Sequence, residues 1–290
     1  MPMTAATHGR LKSAGAKAGI TVSISPTQIG AARPAHANLP SLMQTIYSTE
    51  DLKKMCLMSS DELRKWLIVT NSDIQKDIYQ NLMTFNPSAW LNSTHVNTFL
   101  ALLQSQQSPI SVLCINSYFV AMVCRGDNFA ALKRWKVVTD CWASKDFVIL
   151  PVHKTVMVGK SAKGIHWALA VAKPKEHKLA YYDSMGCQKS TDEPTVQKIA
   201  QFLTRKGREQ SFDSELCSKE WTVEYIGPPF IPDQTDGNSC GKFICAYAGL
   251  ICAGIPLTNS FVQNELRQFG MDMRQHMQYL AKRACRSGQF

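Results

Sequence analysis

The chain has 290 residues, of which 45% are hydrophobic and 19% are charged, and its formal net charge is +10. These values are typical of a globular protein with one large or two small domains, and they exclude a fibrous or wholly disordered chain. No apolar run approaches the roughly 18 residues of a membrane span, and the N-terminus lacks the apolar segment of a secretory signal. We therefore expect neither a membrane protein nor a secreted one.

The cysteines and the charge indicate the environment in which the chain acts. Ten cysteines are spread along the sequence, many in apolar surroundings, and no pair has the C-x-x-C spacing of a zinc ribbon or thioredoxin site. This usage predicts free thiols in an intracellular protein of the nucleus, the cytoplasm or both, with no metal or organic cofactor. The net charge weakly favours an acidic partner, but no basic run interleaved with aromatic residues indicates nucleic-acid binding.

Two N-terminal regions come first in the chain. Residues 1–40 are rich in small residues and proline and contain no aromatic residue, which predicts a flexible tail or, alternatively, an organelle transit peptide. Residues 41–86 place apolar residues at helical spacing, with helix starts at Ser48, at Ser59 in capping-box form, and at Ser72. They predict a helical N-terminal extension.

The rest of the chain continues as helix and then changes to the two-residue period of strands. Pro151 is expected to end the first strand. This order predicts an α+β fold with a central, mostly antiparallel sheet flanked by helices. The predicted elements are helices near 96–103, 116–123 and 129–138, strands at 147–150, 165–171 and 179–183, a helix over 195–203, a strand at 221–226, and helices over 240–252 and 259–285.

A candidate nucleophile stands at the start of a predicted buried helix. Cys240 follows a turn-rich loop, and a thiol at a helix N-terminus lies at the positive end of the helix dipole, which favours the thiolate. Backbone N–H groups near Cys240 and the side chain of Gln234 are candidate donors to a developing oxyanion. Gly237 and Gly241 permit tight turns and close approach of a substrate backbone. Taken alone, Cys240 also fits a buried core cysteine.

A candidate base and its orienting acid lie on two successive predicted strands. His166 is near the start of one strand, whose apolar alternation does not require a histidine, and Asp183 is at the end of the next. If these strands are neighbours, the carboxylate reaches the imidazole, fixes its tautomer and stabilises the imidazolium. His166 would then draw the proton from Cys240. Each residue alone also fits a structural role.

Four motifs follow one another along the chain: Trp90-Leu91-Asn92, His166-Trp167, Tyr182-Asp183-Ser184, and Gln234 through Cys240-Gly241. In this order they resemble the ubiquitin-like-protein-specific cysteine proteases, the SUMO-deconjugating or sentrin-specific enzymes of the adenain-like clan. The resemblance implies that His166, Asp183 and Cys240 are catalytic, and that Gln234 stabilises the oxyanion.

The same resemblance implies how a substrate is held. Trp90 and Trp167 would form a narrow tunnel that clamps the extended Gly-Gly tail of a modifier, since only glycine is slim enough to pass between two indole rings. Asn92 and Gly237, which belong to the matching motifs, are assigned to substrate binding with them. Without the resemblance, both tryptophans would be interpreted as core residues.

The chain departs from the family pattern in three places. Ser93 stands where an Asp commonly follows Trp-Leu-Asn, which bears on modifier binding, so we count Ser93 among the substrate-binding residues. Ser239 stands where an Asp commonly precedes the nucleophile, which puts activity in little doubt. The helical stretch 41–70 has no clear counterpart in the family and fits a modifier-binding extension, a docking element or simple packing.

The resemblance implies a papain-like, adenain-like cysteine protease domain, expected over residues 87–290. Its implied function is hydrolysis after the C-terminal Gly-Gly of a ubiquitin-like modifier of SUMO type, from isopeptide conjugates or from precursors. We expect a monomer whose partner is that modifier. The alternatives are a polyprotein-processing protease or an acetyltransferase on the same fold, or an inactive modifier-binding module.

Overall fold

The computed structural model describes residues 41–47, 80–84, 86, 88–104, 110–126, 142–158, 161–210, 220–257 and 261–286. Residues 80–83 are helical, and short 3-10 turns lie at Trp142–Ser144 and Pro174–Glu176. The helices are α1 (Leu42–Ile46), α2 (Ser93–Gln104), α3 (Ser117–Arg125), α4 (Lys189–Gln210), α5 (Cys240–Cys252) and α6 (Glu265–Arg286), and the strands are β1 (Val112–Cys114), β2 (Phe147–Val158), β3 (Ser161–Lys173), β4 (Lys178–Tyr182) and β5 (Thr222–Ile226).

The strands form one mixed sheet with the order β1-β2-β3-β4-β5. β3 pairs antiparallel with both β2 and β4, whereas β1 pairs parallel with β2 and β5 pairs parallel with β4. The predicted α+β class and the antiparallel centre of the sheet are confirmed. β1 has only three residues, which is too short to show a two-residue period, so its parallel pairing left no signal in the sequence.

β2 and β3 extend as a two-stranded ribbon past the rest of the sheet. β2 runs through Pro151, so the prediction that this proline ends the strand was wrong. β1 faces only Phe147–Ile149, and a strand edge without a neighbour tolerates proline because no ladder hydrogen bond is lost there. The register shifts between Lys154 and Thr155, close to the position where β2 passes His166.

Buried side chains cover both faces of the sheet, because successive residues of a strand point to opposite faces. Trp167, Leu169 and Val171 of β3 pack in a core with α1, α2, α5 and α6. Ala168, Ala170 and Ala172 of the same strand pack in a second core with α3 and α4. Every residue of α5 is buried, so the helix that begins at Cys240 is held on all sides.

Most of the predicted helices are confirmed. The predictions for 96–103, 116–123, 195–203 and 240–252 correspond to α2, α3, α4 and α5, and α3 begins where the Asn116 side chain accepts a 2.8 Å hydrogen bond from the Tyr118 N–H. α6 begins at Glu265, later than predicted. Among the described helices, none is both long and apolar enough to cross a membrane. Several predictions lie outside the described residues: those for residues 1–40 and 129–138, and those for the helices capped by Ser48 and Ser59. Of the helix predicted from Ser72, only the end lies within the described residues.

α1 packs against the middle of α5. Ile46 is buried and lies over Gly249, where an added Cβ would come within 2.6 Å of the Ile46 Cδ1 atom. The glycine therefore leaves the space that the isoleucine fills. This contact joins a segment preceding α2 to the core behind the candidate nucleophile.

Replacing Ile46 by Ala should lower the free energy of unfolding by about 2–4 kcal/mol, because the substitution leaves a cavity over Gly249. Urea denaturation of the full chain measures this difference. Ile165→Ala is the matched control, since Ile165 is 40% exposed, and its loss should stay within about 1 kcal/mol. Equal losses for the two variants would contradict the packing of α1.

Candidate active site

The pairing of β3 with β4 brings the candidate base and acid together. Leu169 of β3 is opposite Tyr182 of β4, so His166 and Asp183 lie just beyond the last paired residues. The His166 Nε2 atom lies 2.8 Å from Asp183 Oδ1. A carboxylate can only accept, so Nε2 carries the proton and the tautomer is fixed. The contact predicted from the two neighbouring strands is therefore observed.

The Asp183 carboxylate is buried and held on both oxygens. The backbone N–H of Asp183 donates to the Ile226 carbonyl of the neighbouring strand β5 at 3.1 Å. Oδ1 also accepts from the Met185 N–H at 2.9 Å, while Oδ2 accepts from Lys154 Nζ at 2.6 Å. With these partners, the carboxylate faces His166 in one orientation.

The candidate nucleophile meets the other side of the imidazole. Cys240 is the first residue of α5 and is buried, and its side chain lies close enough to the His166 ring to raise the pKa of the imidazole. Because Nε2 is bound to Asp183, Nδ1 is the ring nitrogen left for the sulfur. A thiol, an imidazole and a carboxylate are thus joined in series, as in nucleophilic catalysis with an oriented base.

This series of contacts favours the charged form of the imidazole. Burial lowers the pKa of His166, but hydrogen bonds with Asp183 and Cys240 and their charges outweigh burial and raise it to about 9. Burial likewise raises the pKa of Asp183, but the hydrogen bonds from His166 and Lys154 outweigh it and hold this pKa below its ordinary value. Asp183 therefore stays ionised while His166 holds a proton.

The loop before α5 is folded around Asp236. Asp236 Oδ2 accepts a 2.6 Å hydrogen bond from Ser239 Oγ, and Oδ1 accepts from the Ser239 and Asn238 N–H groups at 2.9 and 3.2 Å. Burial opposes ionisation, but these bonds hold the pKa of Asp236 below its ordinary value. Ser239, one of the departures from the family pattern, is thus a structural partner of Asp236 that fixes the approach to Cys240.

Gln234 is positioned by two neighbours. Its Oε1 atom accepts from Ser184 Oγ at 2.8 Å, and its Nε2 atom donates to the Asp236 carbonyl at 2.7 Å. Nε2 also lies 3.3 Å from Asp236 Oδ1, so Ser184 and Asp236 orient the amide from both ends. At the start of α5 the first helical hydrogen bond runs from the Phe243 N–H to the Ser239 carbonyl, and the N–H groups that precede Phe243 point out of the helix end.

The two predicted tunnel tryptophans are linked through Leu91, the residue after Trp90, but they differ in exposure. Trp90 is 46% exposed, whereas Trp167 is 1% exposed. Trp167 Nε1 donates to the Leu91 carbonyl at 2.8 Å, and the His153 ring stacks on Trp167 with centroids 4.1 Å apart. Trp90 therefore presents an open ring next to a tryptophan that is fixed inside the protein.

The structure gives three other predicted substrate-binding residues different surroundings. The Asn92 side chain accepts from the His95 N–H at 3.1 Å and donates to Asn81 at 2.6 Å, so it caps α2. Ser93, which is half-buried, is the first residue of that helix. Gly237 is exposed, has open space around its α-carbon and has no left-handed φ, so its place in a tight turn and near a substrate stays a prediction.

Lys154 and His153 at the root of the ribbon were not identified from the sequence. The strand was predicted to end at Pro151, which left both residues in an unassigned loop with no indicated partner. Lys154 contacts Asp183 and His153 stacks on Trp167, so both reach the candidate site through the continuation of β2. Among the described residues, no group of three His, Cys, Asp or Glu side chains is placed to hold a metal ion.

Known proteins are similar in sequence to this chain. Residues 89–287 match the family model of the Ulp1 protease family, C-terminal catalytic domain. The chain is 29% identical over 202 residues to the ubiquitin-like-specific protease ESD4 of Arabidopsis thaliana, covering 65% of this chain and 37% of that protein. It is 28% identical over 209 residues to sentrin-specific protease 2 of Homo sapiens, covering 71% and 31%. The chain thus spans about a third of the length of these curated relatives.

Solved structures show the same fold. The C-terminal Ulp1 protease domain in complex with Smt3, the yeast orthologue of SUMO, has a TM-score of 0.52 and 17% identity, covering 86% of this chain and 99% of that domain. The SUMO protease Ulp1 with its catalytic cysteine oxidised to a sulfinic acid has a TM-score of 0.54 and 17% identity, covering 82% and 96%. These similarities confirm the predicted cysteine protease fold.

The fold brings together a thiol, an imidazole and a carboxylate, the groups that nucleophilic catalysis by a thiol requires. The chain belongs to the Ulp1 protease family.

The start of α5 packs so closely that only glycine fits after Cys240. An added Cβ on Gly241 would come within 2.7 Å of Leu91 Cβ and 3.3 Å of Trp167 Cδ1. Gly241→Ala should therefore lower the free energy of unfolding by about 1–3 kcal/mol through overpacking. Gly237→Ala, with open space around it, is the matched control and should change it by less than about 0.5 kcal/mol. Thermal unfolding compares the two, and an unaffected Gly241→Ala would contradict this placement of the helix start.

Proposed function

We propose that this chain is a thiol protease that hydrolyses the bond after the C-terminal Gly-Gly of a SUMO-type modifier, in isopeptide conjugates, in precursors or in both. The observation that carries the proposal is the His166 ring, which is hydrogen-bonded to Asp183 and has Cys240 beside it. The relatives named above are ubiquitin-like-specific and sentrin-specific proteases, and the yeast domain of the same fold is bound to a SUMO orthologue. These names support the choice of modifier.

Cys240 is the nucleophile in this proposal. Its thiolate sulfur attacks the carbonyl carbon of the last glycine, and the carbonyl oxygen takes up the negative charge. His166, protonated at both ring nitrogens, gives the Nδ1 proton to the leaving lysine amine as the C–N bond breaks. Water then attacks the thioester and loses a proton to His166. The C–S bond breaks to give the modifier carboxylic acid, which ionises in water, and restores the Cys240 thiolate beside the imidazolium. Asp183 holds the ring throughout by accepting from Nε2.

Two kinds of donor stabilise the oxyanion in this mechanism. The first is the Gln234 amide, which Ser184 and Asp236 hold in place. The second is the set of backbone N–H groups at the start of α5, which the helix itself does not use. Fixed donors of this kind lower the barrier because they need no reorganisation when charge develops.

The modifier tail enters along the exposed ring of Trp90 in this proposal. Glycine carries no side chain, so an extended Gly-Gly segment can lie against an indole face where a larger residue would collide. Trp167 forms the fixed side of the path through its bond to the Leu91 carbonyl. In this proposal Ser93, at the start of α2, and Gly237, with open space around it, line the rim of the path. Asn92 shapes the loop before α2 through its capping bond with the His95 N–H.

Several expectations drawn from the sequence stay predictions. They are the catalytic domain boundaries at 87–290, the monomeric state, the absence of nucleic-acid binding and the location in the nucleus, the cytoplasm or both. The labelling experiment below separates the proposed function from its alternatives: a polyprotein-processing protease or an acetyltransferase should react with neither modifier probe, whereas an inactive module should bind the modifier without forming an adduct.

A SUMO-type modifier ending in Gly-propargylamide should form a covalent adduct with the full chain, while the matching ubiquitin probe should react at least about tenfold more slowly. Cys240→Ala should abolish the adduct because the attacking sulfur is removed. Cys245→Ala is the matched control, since Cys245 is a buried free cysteine one turn further along α5, and its adduct should persist. Gel shift and mass spectrometry read the result.

Three outcomes would count against the proposed function. Labelling of the parent chain by neither probe favours a protease or acetyltransferase with another substrate. Labelling that survives Cys240→Ala contradicts the nucleophile. Tight binding of the modifier without an adduct favours the inactive module.

A further inference from the structure

The Lys154 side chain lies between two buried carboxylates. Its Nζ atom is 2.6 Å from Asp183 Oδ2 and 2.6 Å from Asp192 Oδ1. The two aspartates come from different elements, since Asp183 follows β4 and Asp192 lies in the first turn of α4. Both aspartate side chains are 2% exposed, whereas the lysine side chain is 24% exposed. One ammonium group therefore bridges two carboxylates that water scarcely reaches.

Further hydrogen bonds hold both carboxylates in place. Asp192 Oδ2 accepts from the Gln188 N–H at 2.9 Å, and its Oδ1 accepts from the Tyr181 hydroxyl at 3.4 Å. The Lys154 ammonium also lies over the Tyr181 ring, 5.7 Å from its centroid. Asp183 is held as described above. Without the cation, two negative charges would be buried within a few ångströms of each other, which disfavours the ionised form of at least one.

We propose that Lys154 is a positioning residue for the cleavage reaction: its positive charge compensates the negative charges of Asp183 and Asp192 and so keeps Asp183 ionised and bonded to His166. The inference rests on the proposed function only in that it assigns His166 the proton transfers of that mechanism. Lys154 itself touches neither the sulfur nor a substrate in this role. It acts on the reaction through Asp183 alone.

The direction of the effect follows from the contacts of Asp183. Lys154 is one of the two partners that hold the pKa of this carboxyl below its ordinary value. Loss of the cation raises that pKa, and the remaining charge of Asp192 raises it further. Asp183 orients and stabilises the imidazolium only when ionised, so activity is present above this pKa and is lost as the pH falls through it. Removing Lys154 therefore moves the acid limb of the pH profile to higher pH.

The other titratable groups around Asp183 belong to several elements. Loss of Lys154 should raise the pKa of Cys187 further, because the ammonium charge lowers it. His166 on β3 and Cys240 on α5 form the reacting series. Burial and nearby carboxylates raise the pKa of Tyr181, Cys187 and Tyr247, which keeps these groups neutral in the range concerned. The groups facing this carboxylate are therefore Lys154, His166, Tyr181, Cys187, Asp192, Cys240 and Tyr247.

The test is a cycle of four variants of the full chain: Lys154→Met, Lys154→Arg, Asp192→Asn, and Lys154→Met combined with Asp192→Asn. Two rates are measured between pH 5.5 and about 9: cleavage of a SUMO-type Gly-Gly fusion, and alkylation of Cys240 by iodoacetamide, followed by mass spectrometry of its peptide. The second rate needs no substrate, so failure of the parent chain to cleave SUMO would overturn the proposed function while leaving the inference about Lys154 testable. Circular dichroism checks that each variant is folded.

Lys154→Met should lower both rates about tenfold at pH 6 and by less than about threefold at pH 8, since the loss comes from protonation of Asp183. Adding Asp192→Asn should bring the pH 6 rate back to within about threefold of the parent, because the second buried charge is gone. Lys154→Arg should behave like the parent, since the guanidinium keeps the charge. A pH-independent loss of rate in Lys154→Met, or no recovery of the rate in the double variant, would overturn the proposal. If Lys154→Met does not fold, the double variant decides: an unfolded double variant would also overturn the proposal, whereas a folded and active double variant would support it.

Discussion

The 2.8 Å hydrogen bond between His166 and Asp183 depends on the register of the central sheet. The two residues are 17 apart in the sequence, and they meet because β3 and β4 pair antiparallel and β4 ends beside the middle of β3, near His166. A shift of one residue would turn one of the side chains to the opposite face. The alternating burial of β3, with large side chains towards α5 and alanines towards α4, fixes that register.

The position of the sulfur depends on the packing of α5 against this sheet. The helix is buried along its whole length, and the contact of Gly241 with Leu91 and Trp167 sets how closely its first turn approaches β3. Leu91 also accepts the hydrogen bond from the Trp167 indole. The segment that presents the exposed Trp90 is therefore tied to the strand that carries the base, so the path for a substrate and the reacting groups share the same fixed elements.

The sequence predicted the parts of the site that have a periodic or motif signal. The alternation around His166 and the apolar helix after Cys240 made these residues and Asp183 candidates, although each also fitted a structural role, and the family resemblance favoured the catalytic interpretation. Lys154 and His153 could not be predicted, because their roles depend on β2 continuing past Pro151 as one strand of a ribbon. The capping role of Asn92 was also missed, since a cap and a substrate ligand use the same polar side chain and only the contact with the His95 N–H distinguishes them.

The central claim is that the folded protein keeps His166 charged between a carboxylate and a sulfur, and nitrogen NMR of the imidazole ring tests it most directly. The ring signals are assigned by comparison with His166→Gln, since the chain has seven histidines. Contacts with Asp183 and Cys240 outweigh burial and raise the pKa of His166 to about 9, so the imidazolium should persist through neutral pH and titrate near that value. The stability gained from this charge is complete below the ordinary histidine pKa, about 6.5, and is lost as the pH rises through the folded value. A ring that is already neutral at pH 7 would contradict the account.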